Sequence, residues 1–189
     1  MVTAEELLKI APSLGKRNYE KNIRMRKPSG LINGQKSCPV SNHRLGICKM
    51  SHNGCGAIAV YNAMYQAGLD PDFNVISLGI DTYALRAWGL LGTDPKKIED
   101  CMKNCRIAAL KASDYNDFVN VMKSVRVGIL CYWVGKPRIS LLHFVALINN
   151  GDGKYAVCNR YSNRKSVSMV NSIEKLCPEE CYVCGFFMN

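Results

Sequence analysis

The chain predicts an α+β fold, with N-terminal helices packed on a C-terminal antiparallel sheet, and three observations carry that prediction. Up to about residue 124 the apolar residues recur at helical spacing, most densely in Ala57-Ile58-Ala59-Val60-Tyr61-Asn62-Ala63-Met64. Three strand-like runs follow at 126–134, 141–148 and 154–161. Between the last two stand Asn150-Gly151 and Asp152-Gly153, turn pairs that demand antiparallel neighbours. Helices first and hairpins second is the α+β pattern.

In chain order, residues 4–12 read as a short amphipathic helix with Leu7, Leu8 and Ala11 on one face. Pro28-Ser29-Gly30 and Asn33-Gly34 open a loop-rich stretch that lasts to about residue 50. The helix from Gly56 to Ala67 is apolar nearly all round, which predicts an enclosed, central position, and Gly68 stops it. A further helix is expected over 82–91, and Thr93-Asp94-Pro95 opens another with Ile98, Cys101 and Met102 facing inward. Residues 106–110 read as a short strand. Tyr115, Phe118, Val119 and Met122 give residues 114–124 helical spacing. After the three long strands, a short helix at 172–176 precedes a final strand at 181–188.

Composition narrows the class. At 189 residues, 48% hydrophobic and 21% charged, the chain suits one globular core, divided here into a basic, loop-rich segment (1–47) and a main domain (48–189). The longest uncharged apolar stretch, 139–149, contains His143 and is too short to span a bilayer. Glu5 and Glu6 stand where a secretory leader would carry basic residues, so a cytoplasmic location without membrane contact is expected. In that compartment most of the ten cysteines stay reduced. The formal charge is +10, and residues 1–50 hold ten Lys or Arg against three Glu. That basic segment suits an acidic partner; with only Tyr19 interleaved, it is not expected to bind nucleic acid.

The chemistry centres on Cys55, within Asn53-Gly54-Cys55-Gly56. A small-residue turn feeding an apolar helix puts the thiol at a helix N-terminus, where unpaired N–H groups favour thiolate. A base is available in His143, alone among apolar neighbours on a strand, and the hairpin partner of that strand ends in Asn159. A lone strand histidine is commonly a packed core residue; an Asn across the hairpin, able to fix its tautomer, sets this one apart. Thiol, imidazole and amide in this order serve acyl chemistry: thiolate attack, protonation of the leaving amine, and orientation of the ring.

These residues resemble the nucleophile helix and histidine strand of papain-like cysteine peptidases, and more closely the compact bacterial branch related to bacteriocin-processing peptidases. Gly92-Thr93-Asp94-Pro95-Lys96-Lys97-Ile98 is similar to a helix-opening segment of that branch, and the likeness covers roughly residue 48 to the C-terminus. The resemblance implies a hydrolase acting on a peptide or protein substrate without cofactor or metal, with Cys55 as nucleophile, His143 as base, Asn159 as orienting residue and Tyr161 as their aromatic shield. Two departures stand out. The bacterial branch more often has Asp-Pro where this chain has Asn159-Arg160. The glutamine that papain-like enzymes place about six residues before the cysteine is replaced by Lys49. Asn53, His52 or, from a folded-back loop, Gln35 is then the side-chain donor to the oxyanion, with the Cys55 N–H as the other half.

Other readings stand beside this one. The same triad serves transglutaminase-like enzymes and acyltransferases, and without the glutamine the scaffold suits a non-catalytic binding protein. Cys177, Cys181 and Cys184 have a CxxxCxxC spacing that suits a zinc or iron–sulfur site with Cys101 or Cys105. Opposite strand parity of Cys181 and Cys184 speaks against it.

Overall fold

The computed structural model describes residues 1–137 and 140–188, which leaves Ile139, at the head of the apolar stretch, outside the described residues. Helix α1 (Ala4–Ile10) begins with a capping box: Thr3 Oγ1 accepts from the Glu6 N–H at 3.2 Å and Glu6 Oε2 accepts from the Thr3 N–H at 2.7 Å. Helix α2 (Ser13–Asn22) has no counterpart among the sequence expectations. Its inward residues are Gly15, Asn18 and Asn22 rather than apolar ones, so no hydrophobic period marks it. Asn18 Nδ2 donates to Gly46 O (2.9 Å), and Asn22 both donates to Arg44 O (2.9 Å) and accepts from the Arg44 N–H (2.7 Å). These bonds hold a two-residue hairpin, β1 (Arg44–Leu45) and β2 (Cys48–Lys49), against α2.

A single turn, α3 (Met50–Asn53), leads into α4 (Cys55–Gln66), whose residues Gly56 to Met64 are all buried. Asn62 is the polar exception, and it ties α4 to the N-terminal segment: its side chain accepts from Ile32 N–H and donates to Ile32 O, both at 2.8 Å. Helix α5 (Phe73–Tyr83) starts nine residues before the helix expected at 82–91. The Asp72 side chain caps it at Asn74 N–H (2.8 Å), and the chain then turns through left-handed Ala87 and Trp88, which no helix accommodates. Next come α6 (Ile98–Asn104), β3 (Leu110–Lys111), displaced toward the end of its expected run, and α7 (Tyr115–Val121).

Strands β4 (Val127–Val134), β5 (Leu141–Asn149) and β6 (Tyr155–Cys158) form the antiparallel meander; β7 (Ser168–Val170), unforeseen and short, helix α8 (Ile173–Leu176) and β8 (Tyr182–Met188) complete the chain. The sheet order is β3-β8-β4-β5-β6-β7. Val127, Ile129 and Cys131 of β4 face the layer of α4, α5 and α6, whereas Leu130 and Tyr132 face α7 and α8. Because both faces are covered, β4 and β5 read as continuous apolar runs rather than alternating ones. The fold is therefore mixed α+β about an antiparallel sheet. The basic segment contributes Leu7, Ile32, Val40 and Leu45 to the same buried cluster as Ile58 and Phe144. No helix among the described residues is long and apolar enough to cross a membrane.

Candidate active site

Cys55 is the first residue of α4, and the turn before it is tied down on both sides. Asn53 is buried, and its Nδ2 donates to Leu45 O at 3.2 Å and to Gly89 O. On the other flank Thr93 is pressed so closely on Gly56 that a Cβ there would meet Thr93 Oγ1 at 2.3 Å, so glycine at 56 is a steric requirement. The turn before Cys55 is thus clamped between the β1–β2 hairpin and the loop after α5.

His143 comes from the open part of β5. Strand β6 ends at Cys158, opposite Ala146, so β5 has no β6 partner ahead of Ala146. There the Cys55 thiol meets the His143 imidazole and the backbone of Phe144. The residue after β6, Asn159, is left-handed (φ 58), a conformation that Asn tolerates better than most residues. That turn directs its carbonyl at the histidine, and His143 Nε2 lies 2.7 Å from Asn159 O. A carbonyl only accepts, so Nε2 carries the proton, which leaves Nδ1 as the ring's free acceptor.

The electrostatics follow from this contact. Burial alone would push the Cys55 thiol up; the hydrogen bond and charge of His143, with backbone bonds at Phe144 and Gly56, outweigh it and bring the thiol below its usual range. Burial would likewise lower His143, but the hydrogen bond and charge of Cys55 and the Asn159 carbonyl raise it above 6.5. The two shifts run toward each other, because each group is stabilised in its charged form by the other.

The orienting group differs from the expected one. Asn159 acts on His143 through its main-chain oxygen, while its side chain turns away into the loop at 33–35. Its Oδ1 accepts from Gln35 N–H (3.1 Å) and its Nδ2 donates to Gln35 Oε1 (3.4 Å). Tyr161 is 39% exposed, and its ring lies under the guanidinium groups of Arg160 (5.1 Å) and Arg164 (4.7 Å). The ring beside His143 is instead Tyr132, its cross-strand partner, edge-on with centroids 6.3 Å apart. The hairpin register alone could have pointed to Tyr132.

The three oxyanion candidates separate clearly. Asn53 spends its amide donors on two main-chain carbonyls and His52 is exposed on the one-turn helix before Cys55, whereas buried Gln35 meets Asn159 through its Oε1 and its main-chain N–H, contacts that do not use its side-chain amide donor. Beside Cys55 itself, the backbone N–H groups at the start of α4 are donors without intrahelical partners. Asn53→Ala is expected to lower stability by about 1–3 kcal/mol, because Leu45 O and Gly89 O each lose a buried donor, Gly89 O keeping the Gly92 N–H. Urea unfolding checks this: a donor to the oxyanion alone would slow turnover and leave the midpoint unchanged.

All ten cysteines are free thiols. Among the described residues no group of three or more His, Cys, Asp or Glu is placed to hold a metal ion. Cys177 and Cys181 belong to the α7–α8 side of the sheet and Cys184 to the α4 side, beside Cys131, which splits the CxxxCxxC run across two faces. No protein-family model and no curated protein matches the chain.

Proposed function

We propose that the chain is a papain-like cysteine peptidase or amidase, of the compact bacterial kind, that cleaves a peptide or amide bond of a peptide substrate through a thioester on Cys55. One observation carries the reading: a thiol at the start of a buried helix and an imidazole on a strand edge shift each other's protonation in opposite senses, with a carbonyl fixing the imidazole's tautomer. In this mechanism the Cys55 thiolate adds to the acyl carbon, and the developing oxyanion takes hydrogen bonds from N–H groups at the start of α4. His143 then gives its Nδ1 proton to the leaving amine, and the C–N bond breaks to leave an acyl-thioester. Water, deprotonated by the same nitrogen, releases the acid and restores the thiol. The side chains named here complete both half-reactions as acids and bases.

The test is an acyl-directed covalent probe with mass mapping. Wild type is expected to carry one label, at Cys55, and Cys55→Ala none. Labelling spread evenly over the half-buried thiols would overturn the reading. Adding a primary amine to the trapped acyl-enzyme separates hydrolysis from acyl transfer by the product released.

A further inference from the structure

The reading of Cys55 and His143 as a reactive pair leaves a structural question: what holds a main-chain carbonyl in place as the third member of the set. A carbonyl on a residue that has just left a strand has no ladder to fix it. Here β6 has ended, β7 begins only at Ser168, and the left-handed turn at Asn159 costs about 1 kcal/mol even where it is tolerated. The restraint comes from more than 120 residues away in the chain. Asn33 Oδ1 accepts from the Asn159 N–H at 2.7 Å, and both residues are buried. Gln35 N–H donates to Asn159 Oδ1, and Lys36 N–H donates to Ser162 O at 2.7 Å. Gly34, itself left-handed (φ 67), lets this loop lie flat on the segment after β6; a Cβ there would meet Arg164 O at 2.7 Å.

The other end of the loop is anchored on the nucleophile's own helix. Ile32, next to Asn33, makes both its main-chain bonds to Asn62 of α4. The contacts therefore close a ring: Cys55, α4, Asn62, residues 32–35, Asn159, His143 and back to the thiol. We propose that Asn33 is a positioning residue for the reaction, fixing through the Asn159 N–H the main-chain carbonyl that orients His143, and that residues 31–36 are in this sense part of the active site.

This inference rests on the Cys55–His143 reading but is tested separately from it, by the pH profile of Cys55 alkylation with iodoacetamide, mapped by mass, in the full chain. Wild type should react below the pH range of an ordinary thiol; if it does not, the peptidase reading itself fails. With wild type reactive, Asn33→Ala is expected to slow alkylation at pH 6 by about fivefold and to move the profile toward higher pH. Asn33→Asp keeps an oxygen acceptor for the Asn159 N–H and should recover most of the shift. Asn159→Gly keeps the carbonyl and the left-handed turn, so it should move the profile less than Asn33→Ala does. A profile that stays in place in Asn33→Ala, or one that Asn159→Gly moves as far as His143→Ala, would overturn the proposal. Should Asn33→Ala not fold, Asn33→Ser, whose side chain is one atom too short to reach the Asn159 N–H, takes its place against the same outcomes.

Discussion

His143→Ala is expected to slow iodoacetamide alkylation of Cys55 at pH 7 by about tenfold or more and to move the whole rate profile to higher pH. In the wild type, burial opposes the thiolate, and the imidazole overcomes it. Removing the imidazole leaves burial as the dominant influence, so the thiol in the variant should titrate above the ordinary value of 9.0. Each unit of upward shift costs tenfold in thiolate at a fixed neutral pH, while the more basic thiolate regains roughly half of that on a logarithmic scale. The net loss remains large. For turnover the same pair predicts a bell: the acid limb lies below 9.0, where Cys55 loses its proton, and the alkaline limb lies above 6.5, where His143 loses its own. A wild-type alkylation profile that overlays that of His143→Ala would remove the imidazole from the mechanism.

Phe144→Ala should destabilise the fold by about 3–5 kcal/mol, the cost typical of emptying a fully buried aromatic site. Phe144 is 1% exposed and lies in the cluster shared with α4, while its neighbour in sequence supplies the imidazole. The side chain therefore seats β5 on the helix that begins at Cys55. For a chain of this length the loss corresponds to a fall in melting temperature of roughly 10 °C. Urea or thermal unfolding monitored by circular dichroism checks it. His143→Ala is the matched control, since it should lose reactivity with little loss of stability; comparable loss in both variants would mean that β5 is held mainly by its strand neighbours.

Cys55 and His143 were legible in the sequence because each stands out against its element. A thiol between glycines at the head of an apolar helix, and one imidazole in an apolar strand, are local patterns. The helix, the strand and the turn between β5 and β6 announce themselves through apolar period and Asn-Gly pairs. Asn159 was legible as a position but not as a mode of action. Its value lies in a left-handed backbone that frees the carbonyl, and a residue name does not state which of its oxygens faces the site. Asn33 was out of reach for a different reason: its contact with Asn159 spans 126 residues and has no periodic signature. Helix α2 was invisible because Asn18 and Asn22 bury amides against a hairpin's main chain, so hydrogen bonds replace the apolar stripe that pattern reading depends on. The loop after α5 resembled a helix only in composition; left-handed Ala87 and Trp88 break it.

The position of β8 in the sheet bears on how the molecule assembles. Among the described residues it is the element farthest along the chain, yet it lies inside the sheet, between β3 and β4. Until residues 182–188 are in place, β4 has one bare edge, and the pairing that covers it joins residues about fifty to sixty apart in the chain. The strand that carries His143, β5, pairs with β4 and β6 and makes no ladder with β8, so the candidate site and the late-joining strand lie on different parts of the sheet. In that interval the exposed ladder of β4 is the place where the nascent protein is most open to wrong pairing with another chain.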